Sequence, residues 1–455
     1  VLKSGGILEF SDDTLSFDTV FTSLGSYTSG VLIYNPQSDP VIISSVRMEK
    51  GAGSYFKINV DGVPGGSAAT FTNGVANIKI APHDSVYVFA TVTVDPNDST
   101  TPFFISDRLI ATMNGKDFSI PFTAYGQNAH YIVGDSLTVN TTWKTDLPYV
   151  VIRSCIVGPG AVLRIPPKSR VYMHQTARII VYGGLVTGDA TDADSVVFQG
   201  DRLDRDYFGY RGYPGEWCGL WFIPGSVGVM NKTILKNCGG NSLYHGYFVQ
   251  PAAIRVDTAA SLYMDRCVVK NSIGFGIFDW AGHVVASNSL FHSTGAQALA
   301  IVQGGRDTFV NCTFANYGNH ALSHISEPTV AILNYFRISQ TQIYFGDLTA
   351  LMQNCVVYGS LDSEIICDSS VKAAASLTVD NCLLRMGTVR EDFIHFSSTI
   401  FNKDPIFKDE HDGDFHITDK SPAKGAGKVP VLGGGKDLDG NDWGGAYDIG
   451  CYKYK

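Results

Sequence analysis

The chain has 455 residues, 44% of them hydrophobic and 17% charged, with a formal net charge of -9. That length exceeds one ordinary core, so two domains or a repeat architecture are expected, and the composition excludes a disordered chain. The acidic balance repels a phosphate backbone, so no nucleic-acid partner is expected, and no stretch approaches the roughly 20 apolar residues of a membrane-spanning helix.

Residues 1–128 read as short strands separated by turns, among them Gly30–Tyr34, Val41–Val46, Phe56–Val60, Val86–Val94 and Phe118–Phe122. The turn signals are Asn35-Pro36, Asp61-Gly62, Asn73-Gly74 and Asn114-Gly115. Strands at this spacing, one of them (Val86–Val94) alternating apolar with small or polar residues, predict a β-sandwich. Gln127–His130 forms the junction; it lacks a long Gly/Ser or Pro run, so a fixed docking is expected. The chain starts at Val1 without a charged-then-apolar leader, so a processed N-terminus is expected, with any lipid anchor upstream.

Over residues 129–420 an internal repeat takes over. Leu235–Cys238, Met264–Cys267, Ala286–Ser289, Phe309–Cys312, Ile332–Tyr335, Met352–Cys355 and Thr378–Cys382 align as an apolar strand leading into Asn (once Arg) and then Cys, Ser or Tyr. Successive last positions lie 20 to 29 residues apart. A unit that short, with no helical stripe, buries little by itself; stacked at about 4.8 Å per rung its strands form parallel sheets around a continuous core. The shared column then places Cys side chains inward and Asn in a ladder at a bend. Residues 421–455 are turn-rich and are expected to cap the last rung, which otherwise exposes a sheet edge.

Several segments carry a family resemblance. Leu15–Phe21, Tyr34-Asn-Pro36, Phe56–Val60 and Ala124–Gln127 resemble the immunoglobulin-like modules fused to β-helices in Bacteroidetes-type surface lipoproteins. Val197–Leu203 and Gly215–Ser226 resemble the early coils of the same proteins, and Ser421–Ala423, Asp437–Asn441 and Asp448–Gly450 resemble the ends of right-handed β-helix repeat proteins. The resemblance implies an all-β chain: an N-terminal Ig-like β-sandwich, a right-handed parallel β-helix of the pectate-lyase-like kind, and a turn-rich C-terminal cap. It also implies an exported protein at the cell surface or in the periplasm, held by a lipid anchor.

That fold hosts enzymes, adhesins and stalks, so function rests on sites. The Asn-Thr-Asp, Asp-Asp, Gly-His-Gly and Arg-Ile-Lys set of pectinase-like hydrolases is absent from the helix region, and Arg164–Arg170 lacks the spacing of the pectate-lyase Arg-x-Pro-x-x-Arg motif. What stands out is an aromatic and polar concentration. Trp217, Trp221, Tyr247 and Trp280 are the expected ligand-facing rings, with Asp279 and His283 as polar partners, since flat rings suit sugar faces and the polar groups take hydroxyls. The expectation is a non-catalytic protein binding carbohydrate or other cell-envelope components. A polysaccharide lyase or glycoside hydrolase acting in a groove is the alternative, and a structural spacer the third reading.

Nine cysteines include five in the repeat column, which favours buried thiols, while Cys355 with Cys367 or Cys218 with Cys238 remain possible pairs. Asp437, Asp439, Asn441 and Asp448 have the offsets of a Ca2+ loop, but Gly440 sits fourth and Asp442 sixth, so a tight turn is preferred. No cofactor is therefore expected. His320 and His324 stand four apart in a strand-rich context and read as loop. Glycosylation-like triplets at Asn97, Asn140, Asn231 and Asn311 read as chance matches.

Overall fold

The computed structural model describes all residues except 3, 67–72, 205, 208–209, 241–242, 388–390 and 434, and leaves the side chains of 206, 207, 210, 211 and 247 undescribed. It is 51% strand and 1% helix. Two compact units are present: residues 1–130 with 202–212, and residues 131–201 with 213–455. The stretch 202–212, placed by its sequence position among the repeats, therefore belongs with the first unit, where Arg202 Nη1 donates to the Gly25 carbonyl at 2.9 Å.

The first unit holds two five-stranded sheets. Strand alternation explains their packing. Val31, Ile33, Phe56, Ile58, Val86 and Val88 of one sheet meet Phe17, Ile43, Val46, Leu109, Ala111 and Phe122 of the other in one buried cluster. Phe56 anchors it, 5.7 Å from both Phe17 and Phe122.

The second unit is built on parallel sheets of 18 and 10 strands, compatible with a parallel β-helix. Tyr149–Val157 pairs through its first half with Arg170–Met173 and through its second with Arg178–Val181, so the larger sheet divides into two faces. Face I runs through Arg178–Val181, Gly219–Phe222, Ala252–Val256, Phe275–Trp280, Leu299–Val302, Val330–Leu333 and Ile365–Asp368. The ten-stranded sheet, face II, includes Val227–Asn231, Ser261–Asp265, His283–Ser287, Gly305–Val310 and Leu348–Gln353. Face III includes Arg170–Met173, Val196–Gly200, Thr233–Cys238, Val268–Ser272, Leu290–Thr294, Thr313–Asn316, Val356–Gly359 and Leu383–Leu384. A typical coil contributes one strand to each face, and inward columns such as Ile179, Leu220, Ile254, Ile277, Leu299, Val330 and Ile365 fill the core.

The repeat column has a backbone cause. Lys232, Arg266, Asn288, Asn311, Asn354 and Asn381 all adopt φ between 43° and 53° at the bend from face II into face III. Asn tolerates this left-handed conformation better than most residues. The next residues, Cys267, Ser289, Cys312, Cys355 and Cys382, are fully buried. All nine cysteines are free, so neither Cys355–Cys367 nor Cys218–Cys238 is bonded. Two aligned segments were out of register. Cys238 pairs with Ser272 instead of Cys267, because its coil enters the bend at Lys232-Thr233. Ile332 lies on face I opposite Cys367, so Tyr335 is not in the column either.

Residues 421–455 do not stop at the last rung. They run back along the asparagine bend, where Asn381 Nδ2 donates to the Ala426 carbonyl at 3.0 Å, Asn354 Nδ2 to Lys428 at 2.7 Å and Asn288 Nδ2 to Gly433 at 2.7 Å. With Phe407, Phe415 and Ile417 of the preceding hairpin, Ala423, Ile449 and Cys451 bury the outer side of face III at Leu290, Ala315, Val356 and Leu383.

Candidate functional site

Face I carries the aromatic concentration. On its outer side Trp221 stands opposite Arg255, and Arg255 opposite Phe278 on the next coil. The Arg255 guanidinium lies 5.0 Å from the Trp221 ring, 5.9 Å from Phe278 and 5.4 Å from Trp280. Arg255 Nε donates to Asp257 Oδ1 at 2.7 Å and Trp221 Nε1 to Asp257 Oδ2 at 2.8 Å, so the cluster satisfies its own charges. Trp280 Nε1 donates to Gln303 Oε1 at 2.6 Å, and its ring meets Phe336 of an inserted hairpin at 5.3 Å. Trp221 and Trp280 are thus half-buried rings around an arginine, packed partly by inserted loops.

The other expected site residues separate. Trp217 is fully buried in the core, stacked on Phe198 with its Nε1 donating to the Lys236 carbonyl at 2.9 Å. It cannot face a ligand: Trp-x-x-x-Trp spans a left-handed glycine, Gly219 at φ 107°, which turns the two rings to different sides. Asp279 is also fully buried, in an inward column between Val256 and Ile301, so it is no surface partner. His283 lies on face II, its Nδ1 on the Arg306 carbonyl and its ring 5.7 Å from Tyr263. The Tyr247 side chain falls outside the described residues.

A set of half-buried and buried ionisable groups lies elsewhere, on the outer side of face III, where sequence reading placed nothing. Tyr172, Gln199, Lys236, Lys270 and His292 occupy one column over successive coils. Lys236 and Lys270 are direct partners on neighbouring strands, which in a sheet lie about 4.8 Å apart. Burial holds both ammonium groups below the usual lysine range, with Lys270 adding to the effect on Lys236. Among the described residues neither forms an ion pair. Glu216 borders them: its Oε1 accepts from Tyr213 N at 3.1 Å and its Oε2 from Asn237 Nδ2 at 3.2 Å, and burial pushes its carboxyl up to about 7. On the preceding coil His174 Nδ1 bonds Asp201 Oδ2 at 2.6 Å. An amide ladder flanks the strip, Asn271 Nδ2 donating to Asn237 Oδ1 at 2.7 Å and Asn319 Nδ2 to Asn271 Oδ1 at 3.1 Å. The C-terminal cover closes the far end, where Phe415 lies 4.9 Å from His292. A signal was present in the sequence: Thr-Ile-Leu-Lys236-Asn-Cys and Cys-Val-Val-Lys270-Asn-Ser are the same strand twice.

The acidic loop near the C-terminus forms a turn. Asp437 Oδ1 accepts from Asn441 N at 2.7 Å and its Oδ2 from Lys453 N at 3.0 Å, while Asp448 accepts from Gly425 N and Tyr454 N. Asp439 instead faces His416 Nε2 at 3.0 Å. Among the described residues no three His, Cys, Asp or Glu side chains are grouped to hold a metal ion. His324 lies in a loop, as expected, and is buried there with its Nε2 2.9 Å from Glu364 Oε2.

No family model and no curated protein matches the chain. Among solved structures, a family 123 glycoside hydrolase from Clostridium perfringens, studied for glycolipid glycan hydrolysis, is similar over 26% of this chain at 11% identity and TM-score 0.18. The chain spans 25% of that protein's length. At that score the likeness carries no argument. No helix among the described residues is long and apolar enough to cross a membrane.

Proposed function

We propose that this chain is a non-catalytic, exported β-helix protein with an Ig-like first domain, and that it binds an anionic polysaccharide along face III. One observation carries the reading: Lys236 and Lys270, half-buried partners on adjacent strands, form no ion pair among the described residues, and burial pushes the carboxyl beside Lys236, Glu216, towards its neutral form. Two like charges so placed repel each other and have lost hydration, and an anionic group between them relieves both costs. Tyr172, Gln199 and the Asn237–Asn271 ladder supply hydrogen-bonding groups beside the lysines for sugar hydroxyls. A right-handed winding and a surface or periplasmic location, held by a lipid anchor, belong to the same reading.

The test is a binding isotherm with polygalacturonate beside a neutral glucan. Tight binding of the acidic polymer alone is expected, weakened tenfold or more in a Lys236→Gln/Lys270→Gln variant. Equal affinity for the two polymers, or an unaffected variant, overturns the proposal. Glu216, a carboxyl poised near neutrality beside Lys236, favours a second reading in which the same groove cleaves its ligand. Release of reducing ends or unsaturated uronates, abolished by Glu216→Gln, would establish it.

A further inference from the structure

The inward columns of the solenoid are largely apolar, and two aspartates interrupt them side by side. Asp279 replaces an apolar residue in the face I column Val181, Phe222, Val256, Ile301 and Ile332. Asp307 does the same on face II, opposite Ala350 and next to Val284. Each carboxylate spends one oxygen on a backbone donor, Asp279 Oδ1 on Gly282 N at 3.0 Å and Asp307 Oδ1 on Val284 N at 2.8 Å. The other two oxygens, both Oδ2, are buried without any such donor. They converge: a Cβ on Gly305 would lie 2.8 Å from Asp307 Oδ2 and 3.2 Å from Asp279 Oδ2. Gly305, at φ 142°, and Gly282, whose Cβ would fall 2.4 Å from Asp279 Oδ1, are the residues that leave room for the pair.

We propose that Asp279 and Asp307 share one proton between their Oδ2 atoms, and that this proton ties the face I strand of one coil to the face II strand of the next until rising pH removes it. Two buried carboxylates whose oxygens converge in this way cannot both be charged without a severe cost, while a carboxylic acid donating to a carboxylate satisfies both orphaned oxygens at once. Among the described residues the surroundings offer no compensating cation. Asp257 on the preceding coil is held by Arg255 and Trp221 and adds negative charge. Asp347 spends its Oδ1 on Ala374 N. His283 and Arg306 flank the pair in sequence, but His283 is directed at the Arg306 carbonyl and Arg306 is exposed. The remaining neighbours, Val256, Ile301, Val284 and Ala350, are apolar.

Burial, reinforced by the Asp307 charge, holds the Asp279 carboxyl well above the usual carboxylate range, and burial pushes Asp307 up to about 7. An acid whose affinity for protons is raised by folding stabilises the folded state at low pH. That contribution is complete below the unfolded carboxylate range and is lost as pH climbs through about 7.

The experiment follows the Tm of the full chain between about pH 5.5 and about pH 8.5. Glu216→Gln serves as the background, because Glu216 is another carboxyl pushed up to about 7. A fall of several degrees is expected on going alkaline, flattened in Asp279→Asn and in Asp307→Asn. Should an Asn variant fail to fold, infrared spectroscopy of the background protein decides. A protonated-carboxyl C=O band that titrates near neutrality supports the shared proton, and its absence overturns it. A Tm indifferent to pH, or a slope unchanged in both folded variants, also overturns it. So does a Tm rescued at alkaline pH by added calcium, which would make the pair a cation site.

Discussion

Glu364 shows what a single residue carries in this solenoid. Its fully buried carboxylate accepts from Thr329 N at 3.1 Å, Thr329 Oγ1 at 2.7 Å and Leu361 N at 2.7 Å, beside its contact with His324 Nε2. Removing one partner of such a buried network leaves the others unpaired, so Glu364→Ala is expected to cost about 3–5 kcal/mol, read as a shift of the denaturant midpoint. A midpoint within the error of the unmodified chain would mean that water replaces the carboxylate. The thiol column makes a sharper contrast. Cys312 is fully buried and its Sγ approaches the carbonyls of Ala286 and Val310 at 3.5 Å, the place where Ser289 one coil earlier donates to the Ser287 carbonyl at 2.7 Å. Cys312→Ser is therefore expected to leave the melting temperature nearly unchanged, while Cys312→Asp buries a charge without a partner and lowers it by many degrees. Equal melting of the two variants would contradict the column.

At the scale of elements, the C-terminal run along the asparagine bend is the main departure from what the chain order suggests. Truncation after Lys420 uncovers Leu290, Val356 and Leu383 and frees the side chains of Asn288, Asn354 and Asn381. The expected product binds a hydrophobic dye strongly and melts well below the full chain; a truncated protein with native melting and no dye binding would show that the segment is dispensable. The parallel repeat was legible because a left-handed bend restricts residue choice, so Asn recurs wherever the backbone demands it. Register was legible only where coils have minimal length. The insertion between Cys238 and Cys267 pulled that alignment five residues off and hid the Lys236–Lys270 pairing, which no periodicity of one strand reveals. Aromatic content misled for a related reason. Trp217 and Trp221 look equivalent by spacing, and only the turn at Gly219 tells core from surface.

For the molecule as a whole, a net charge of -9 has to coexist with a proposed anionic ligand. Long-range repulsion slows encounter, while the two ammonium groups attract at contact, and salt screens both. Affinity for polygalacturonate is thus expected to vary weakly with ionic strength, less than tenfold between about 50 mM and about 200 mM salt; a steep loss would point to many more contacts than Lys236 and Lys270. The return of the C-terminal segment has another consequence, for synthesis. Trp443 Nε1 reaches back to Asn288 Oδ1 across 155 residues, and Cys451 N reaches Thr313 Oγ1 across 138. A stacked repeat ordinarily closes each coil against the one just made, with contacts local in the chain. Here coils emerging from the ribosome wait, their outer apolar column bare, until residues 421–455 have been translated. That segment is thus a completion step for the coils before it, and a nascent chain stalled ahead of it is left with an aggregation-prone flank.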